Sequence, residues 1–569
     1  MKKDAQLLFG LTSQKPIIHI PRVFLVLSFL FCISCQENSP KADLILSNAT
    51  IWTGNEEQPT AQAIAILADT ILAIGTNGEL EKYKGNTTEL INAENGFITP
   101  GFIDAHVHLL MGGNSLLNVE LRDAKTPDEF TQRISDFATT IDSATWIMEG
   151  NWDHTLWGGE LPKKEWIDPY TKDNPVAVYR LDGHMVFANS AALEFAGIDK
   201  NTPEVPNGEI LRDENGEPTG ILKSNAMYLL LDKIPPLSNL QKKKAIKVAT
   251  DYFLANGVTS VHDVDSLGTA AVAQELLDAG ELSLRIYSAN PLGRWQEAQK
   301  KISSDEKWLK TGIVKGFMDG SLGSHTASFI APYTDKPTDN GFLINSEENL
   351  YQWILAADKA DLHIQVHAIG DNAIHTLLEI YERVIKENGK KDRRLRIEHA
   401  QHIAEKDINR FSEMNIIASV QPYHAIDDGR WAEELIGPER MKTTYAFKSL
   451  LDAQTILAFG SDWPVAPGSP LEGIYAAVTR STLDGKNPNG WVPEQKISPE
   501  EALRAFTKNG AYASFDDKIK GTLEPGKLAD FVILSEDIRK VVPSDINKIK
   551  VKATYLGGKL VYENPELDE

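Results

Sequence analysis

From residue 99 to residue 462 the chain repeats one pattern: a short apolar run, polar residues at its end, then a longer stretch with helical spacing. The runs read GFIDA, PVAVYRL, VTSVHDV, LRIYSA, GIVKGFM, LHIQVHA, LRIEHA, IIASVQP and TILAFGS. Segments such as NLYQWILAADKA and AIHTLLEIYERVIKE separate them. Repeated strand–helix units predict a parallel sheet covered by helices, and about eight of them fit a (β/α)8 barrel better than an open sheet. Before and after this region the texture changes to short β-like runs broken by turns, as in ADLILSNATIWTG, AIAILADTILAIG and KVKATYLGGKLVYE. The expected fold class is therefore α/β: a TIM-like barrel over 99–515, with a small β-sandwich built from 43–98 and 516–569. Residues from about 115 to 235 are irregular and rich in Trp, Gly and Pro, and are expected to form a cap over the barrel mouth.

Composition narrows the partners. A formal charge of −22 argues against nucleic acid, whose phosphates need a basic surface. It disfavours electrostatic attraction to anionic lipid as well, and leaves a small-molecule substrate as the expected partner. The apolar stretch Val23–Ile33 follows Lys2, Lys3, Lys15 and Arg22 and is too short to span a bilayer. It has the length of a signal-peptide core and ends in CISC. Residues 1–35 therefore resemble a bacterial lipoprotein signal, with Cys35 as the lipidated residue and 36–42 as a polar tether. The expected location is an exported protein on a membrane surface, facing the periplasm or cell exterior. Both cysteines, Cys32 and Cys35, lie in this leader, so the remaining chain has neither a disulfide nor a thiolate ligand. Any metal must be held by His and carboxylates, or by a modified lysine.

The polar residues ending the apolar runs carry the chemistry. His106 and His108 end the first, within TPGFIDAHVHL, and alternation on a strand would place both on one face. Lys315 lies in GIVKGFMDGS, His367 ends LHIQVHAIGD, His399 ends LRIEHAQ and Asp462 ends TILAFGSDWP. Active sites of β/α barrels form at the C-terminal ends of the strands, where these residues fall.

With these motifs the chain resembles the amidohydrolase superfamily, and within it the amidohydrolase 3, YtcJ-like branch that includes N-substituted formamide deformylase. DGHMVFANS, NGEILRDENGEPTGIL, VKGFMDGSLGSHTA, VHAIGDNA, SVQPYH, GSDWPV and LEPGKLADFVIL match its pattern as well. The resemblance implies that His106, His108 and Asp462 bind the more buried metal and that His367 and His399 bind a second. It implies a bridging role for Lys315 as a carbamate, since an ammonium cannot ligate a cation. Zinc suits these donors, one or two ions per chain. The implied chemistry is attack of metal-bound hydroxide on a carbonyl, with Asp462 as general base and then acid. Asp182, His184, Asn189, Asp319, His325, Gln421 and His424 are candidates for the substrate pocket. Trp152, Trp157 and Trp463 could wall it, and Asp371 is expected to cap the following helix. Many relatives carry a glutamate where this chain has Ser224.

The expected activity is hydrolysis of a non-peptide C–N bond in an amide, N-substituted formamide or cyclic amide. An esterase or lactonase on the same scaffold and a non-catalytic lipid-anchored binding protein are the alternatives. GSLGS around Ser321 lacks the G-x-S-x-G pattern, and H-E-x-x-H is absent, which disfavours serine hydrolases and helical zinc proteases. Substituting Cys35→Ser should release the protein from the membrane fraction into the soluble one; unchanged fractionation would contradict lipidation at Cys35.

Overall fold

A computed structural model describes residues 40–180, 185–206, 208–264, 268–299 and 305–567. Cys35 with the rest of the leader, and Asp182 and His184, lie outside the described residues. Among the described residues no helix is long and apolar enough to cross a membrane.

Eight parallel strands form the central sheet: β1 (Phe102–Val107), β2 (Val258–Asp263), β3 (Arg285–Pro291), β4 (Leu309–Phe317), β5 (His363–Ala368), β6 (Arg396–His399), β7 (Ile417–Val420) and β8 (Leu457–Phe459). Each pairs with the next in sequence, and β1 pairs with β2. The residues just past β8 close the ring. Asp462 N donates to His106 O at 2.8 Å, and His108 N donates to Trp463 O at 2.8 Å. Helices such as Glu347–Lys359 and Asp371–Asn388 cover the outside with apolar faces, burying Leu350, Ile354, Ile374, Leu377 and Leu378. Glycine permits one close helix contact. A Cβ on Gly113, in helix Leu109–Leu116, would lie 2.1 Å from Ala245 O in helix Asn239–Ala255.

The insertion between β1 and β2 is more regular than its composition suggests. It holds a six-stranded sheet ordered Gly208–Arg212, Pro218–Ser224, Met185–Ala188, Val176–Arg180, Ile147–Trp152 and Val119–Glu120. PVAVYRL, which reads in sequence as one of the barrel runs, belongs here. Val176–Arg180 pairs antiparallel with Met185–Ala188, a hairpin partner that a barrel strand would not have. Helix Pro127–Ala138 packs on one face of this sheet through Phe130 and Ile134, and helix Ser190–Ala196 on the other through Ala192 and Leu193. Trp152 is consumed by this core: it is fully buried and its indole N–H donates to Val178 O at 2.9 Å.

Both chain ends build the β-sandwich. One six-stranded sheet joins Thr60–Ala61, Thr50–Trp52 and Phe97–Pro100 from the N-terminal side to Phe531–Leu534, Val551–Leu556 and Lys559–Glu563 from the C-terminal side. A second sheet has four strands, Leu44–Ser47, Ala63–Leu67, Thr70–Gly75 and Glu89–Asn92. Arg285, the first residue of β3, ties the sandwich to the barrel. Its Nε and Nη2 reach Asp530 Oδ2 and Oδ1 at 2.6 and 2.8 Å, and both side chains are nearly fully buried. Asp530 also accepts Gly557 N at 2.8 Å. Removing one partner of a buried ion pair leaves an uncompensated charge and costs roughly 3–5 kcal/mol. Asp530→Ala should therefore lower stability by about that amount in urea unfolding; a loss below about 1 kcal/mol would show that the pair is not structural.

Candidate metal centre

The C-terminal ends of the strands open into a cavity of about 610 Å³ lined by His106, His108, Lys315, His367, His399 and Asp462. Each residue gets there by a local device. His106 is the next-to-last residue of β1 and is fully buried. His108 lies one residue past the strand, so alternation along the strand does not by itself align the two histidines; the bond from its backbone N–H to Trp463 O keeps the chain against the barrel for one residue more. Lys315 sits near the end of β4, His367 near the end of β5 and His399 at the end of β6. Asp462 lies three residues past the end of β8. His399 and Asp462 hold positive φ of 72° and 61°, uncommon for residues with a side chain and typical of segments held at functional sites.

Asp462 organises the donors. Its Oδ1 lies 3.5 Å from His106 Nε2 and 3.3 Å from His108 Nε2. Two donors on one tetrahedral zinc, each bonded at about 2.0–2.2 Å, sit roughly 3.3–3.5 Å apart. This buried Oδ1 has no hydrogen-bond partner, which is costly unless a cation satisfies it. The set His106, His108 and Asp462 therefore fits a divalent metal. Oδ2 faces the other way, 4.0 Å from His399 Nδ1 and 3.9 Å from His424 Nε2.

Three of the imidazoles are also held in defined tautomers. His106 Nδ1 meets Glu398 Oε2, His399 Nδ1 meets Gln421 Oε1 at 2.8 Å, and His367 Nε2 meets Gly320 O at 3.0 Å. Each acceptor takes the ring N–H and leaves the opposite nitrogen with its lone pair, the usual arrangement behind a metal-ligating histidine. Burial keeps these rings neutral: it pushes His106 down to about 4 and His367 to about 3, and His399 falls well below the ordinary histidine value. Lys315, whose Nζ is 3.5 Å from His106 Nε2, is pushed down to about 8 by burial. For Asp462 burial acts upward, but the surrounding imidazoles, His106 first, hold it well below the usual carboxylate range.

Glu398 was not legible as a site residue. It is completely buried, accepts Ser419 Oγ at 2.8 Å, and pairs through Oε1 with Arg396 Nε at 2.8 Å. Arg396 Nη1 then approaches His262 Nδ1 at 3.0 Å inside the barrel. The available signal was R-I-E in LRIEHA: two opposite charges at alternate positions of a strand, hence on one face, beside a candidate ligand.

Several expected pocket residues do other work. Asn189 caps helix Ser190–Ala196 in the insertion, bonding Ala192 N, Val176 N, Thr171 and Asn174, so no polar atom of its amide is left for a substrate. Asp319 is buried and accepts the N–H groups of Ser328, Ile369 and Gly370, at 2.8, 2.9 and 2.9 Å, which fixes the loops around His367 rather than touching the cavity. His325 turns to Asp335 Oδ2 at 2.8 Å. Gln421 acts through His399. Asp371 is the first residue of its helix rather than the cap, and its Oδ1 accepts Ile330 N at 2.7 Å. Trp463 packs against Tyr252 and Phe253, and Ser224 is exposed at the end of a strand of the insertion. His424 does line the cavity.

Residues 89–562 match the Amidohydrolase family. The protein LONG AFTER FAR-RED 3 of Arabidopsis thaliana is 40% identical over 537 residues, covering 92% of each chain. The putative amidohydrolase YtcJ of Bacillus subtilis (strain 168) is 31% identical over 526 residues, 90% of this chain and 98% of the relative. The N-substituted formamide deformylase of Arthrobacter pascens is 28% identical over 549 residues, 92% of this chain and 98% of the relative. Among solved structures, an uncharacterized metal-dependent hydrolase from Pyrococcus horikoshii OT3 superposes with a TM-score of 0.74 at 28% identity, covering 88% of this chain and 99% of that one. A cavity whose unpartnered carboxylate and neutral imidazoles call for a cation, on this barrel and with this match, is that of a metal-dependent hydrolase, and the chain belongs to the Amidohydrolase family.

Proposed function

We propose that the protein hydrolyses a non-peptide C–N bond in an amide, N-substituted formamide or cyclic amide. The observation that carries this reading is Asp462, with Oδ1 at 3.5 and 3.3 Å from two histidine nitrogens and Oδ2 turned toward the cavity. His106, His108 and Asp462 Oδ1 would hold one divalent cation, zinc by donor type, and His367 and His399 a second beside Lys315. Bound there, a cation supplies Lewis acidity, which acidifies a water and polarises a carbonyl. Asp462 Oδ2 accepts the proton that the attacking water loses, and returns it to the leaving nitrogen as the C–N bond breaks. Glu398 holds the His106 ring so that Nε2, not Nδ1, faces the centre. An ammonium at Lys315 would repel a cation. The neutral amine can instead add carbon dioxide, forming an N–C bond and releasing a proton, which leaves a carbamate with oxygen donors. The likeness to a deformylase supports the C–N assignment, and the leader supports an exported enzyme anchored through Cys35.

Elemental mass spectrometry on the purified protein tests this directly. Two metals per chain are expected, with at least one lost in His106→Ala and in Lys315→Ala. One metal that survives Lys315→Ala would remove the bridging role of Lys315, and no metal after reconstitution would remove the mechanism. Turnover of matched N-formyl, N-acetyl and ester probes then separates the bond types; cleavage of the esters alone would overturn the C–N assignment. Glu398→Gln should weaken metal affinity roughly 10–100-fold, the usual cost of losing a carboxylate behind a ligating histidine. Unchanged affinity in that variant would show that packing alone orients His106.

A further inference from the structure

His424 is a polar group in the cavity that the mechanism above leaves unused. It sits in helix Pro422–Asp428, which begins two residues after β7. That helix is anchored at its far end by Tyr445 Oη, which donates to Asp428 Oδ2 at 2.5 Å. The His424 side chain is 12% exposed, and its Nε2 is buried with no hydrogen-bond partner among the described residues. Its near neighbour in the centre is Asp462 Oδ2 at 3.9 Å, beyond hydrogen-bond reach.

Two roles are open to such a nitrogen: a lone pair on a cation, or an N–H donor to a substrate. The cation would have to be shared with Asp462 Oδ2 and His399. The His399 nitrogen on that side is Nδ1, which already gives its proton to Gln421 Oε1 at 2.8 Å and so has no lone pair to offer. The 3.9 Å gap also exceeds the roughly 3.3–3.5 Å expected between two donors on one zinc. The second role remains, and it needs an oxygen in the cavity beside Asp462 Oδ2.

We propose that His424 Nε2–H is the hydrogen-bond donor to the substrate's carbonyl oxygen, and that it stabilises the oxyanion formed when that carbonyl is attacked. This rests on the hydrolase reading and names a further catalytic residue for it. As the water oxygen bonds to the carbonyl carbon, the π pair moves onto the carbonyl oxygen, where the His424 N–H meets it. When the pair returns, the C–N bond breaks and the nitrogen takes the proton held on Asp462. His424 and Asp462 Oδ2 thus flank the reacting carbon, one for the oxygen and one for the proton. A fixed donor is effective because it needs no reorganisation as charge develops.

Methylphosphonate, a tetrahedral anion, is the probe. Its binding to the zinc-loaded protein is measured by calorimetry for wild type, His424→Leu and His424→Gln, with metal content and thermal melting recorded for each. Metal content and melting should be unchanged. Affinity should fall roughly 10–100-fold in His424→Leu, the loss of one hydrogen bond to a charged group, and less in His424→Gln, which keeps an N–H donor. Loss of metal from a folded His424→Gln would make His424 a ligand and overturn the inference. So would a His424→Leu affinity within about twofold of wild type. Failure of the hydrolase reading is seen separately, in the metal content of the wild-type protein.

Discussion

Barrel closure and metal-site assembly are the same event in this protein. The short segment after β8 reaches β1 through three hydrogen bonds: Asp462 N to His106 O, His108 N to Trp463 O, and Ser461 N to Asp104 Oδ1. The residues making these bonds include three candidate cation donors. Asp462 cannot reach its place beside His106 and His108 unless the first and last strands have met. The positive φ of Asp462 belongs to this arrangement, since it turns the carboxylate inward as the backbone bond is made.

Beneath that closure lies a buried column of charge. Glu398 and Arg396 neutralise one another in the barrel interior, Ser419 bonds Glu398, and Glu398 in turn fixes His106. A buried pair of this kind is weak evidence for stability because both charges are desolvated. Its value here is positional, since it selects which nitrogen of His106 faces the centre. His367 and His399 are fixed with neutral acceptors, Gly320 O and Gln421 Oε1. The same burial that keeps the imidazoles neutral pushes Lys315 down to about 8, so the neutral amine is a larger fraction near neutral pH than in an exposed lysine, although the ammonium still predominates there.

The family match and the fold account for a hydrolase; the walls decide what it hydrolyses. Phe317, Leu322, Trp431 and Val465 give the cavity an apolar side, while Asp427 and Asp428 line it beyond His424. Specificity in this fold resides in loops rather than in the barrel.

By itself the sequence determined the barrel, the shared β-sandwich and the positions of the candidate donors. Apolar period and turn residues are local properties of the backbone, and active groups in such a fold must fall at the ends of apolar runs. Tertiary structure alone decided the rest. Val176–Arg180 has the composition of a barrel strand, and only its antiparallel partner places it in the insertion. Asn189 and Asp319 look like pocket residues until the backbone groups that consume them come into view. Glu398 gains its place in the site from a neighbour distant in the chain, His106; His424 is a pocket candidate by sequence, and the fold alone sets it 3.9 Å from Asp462 Oδ2. Which atom faces which is set by long-range closure and by the need to satisfy buried polar groups, and no local pattern of residues encodes that.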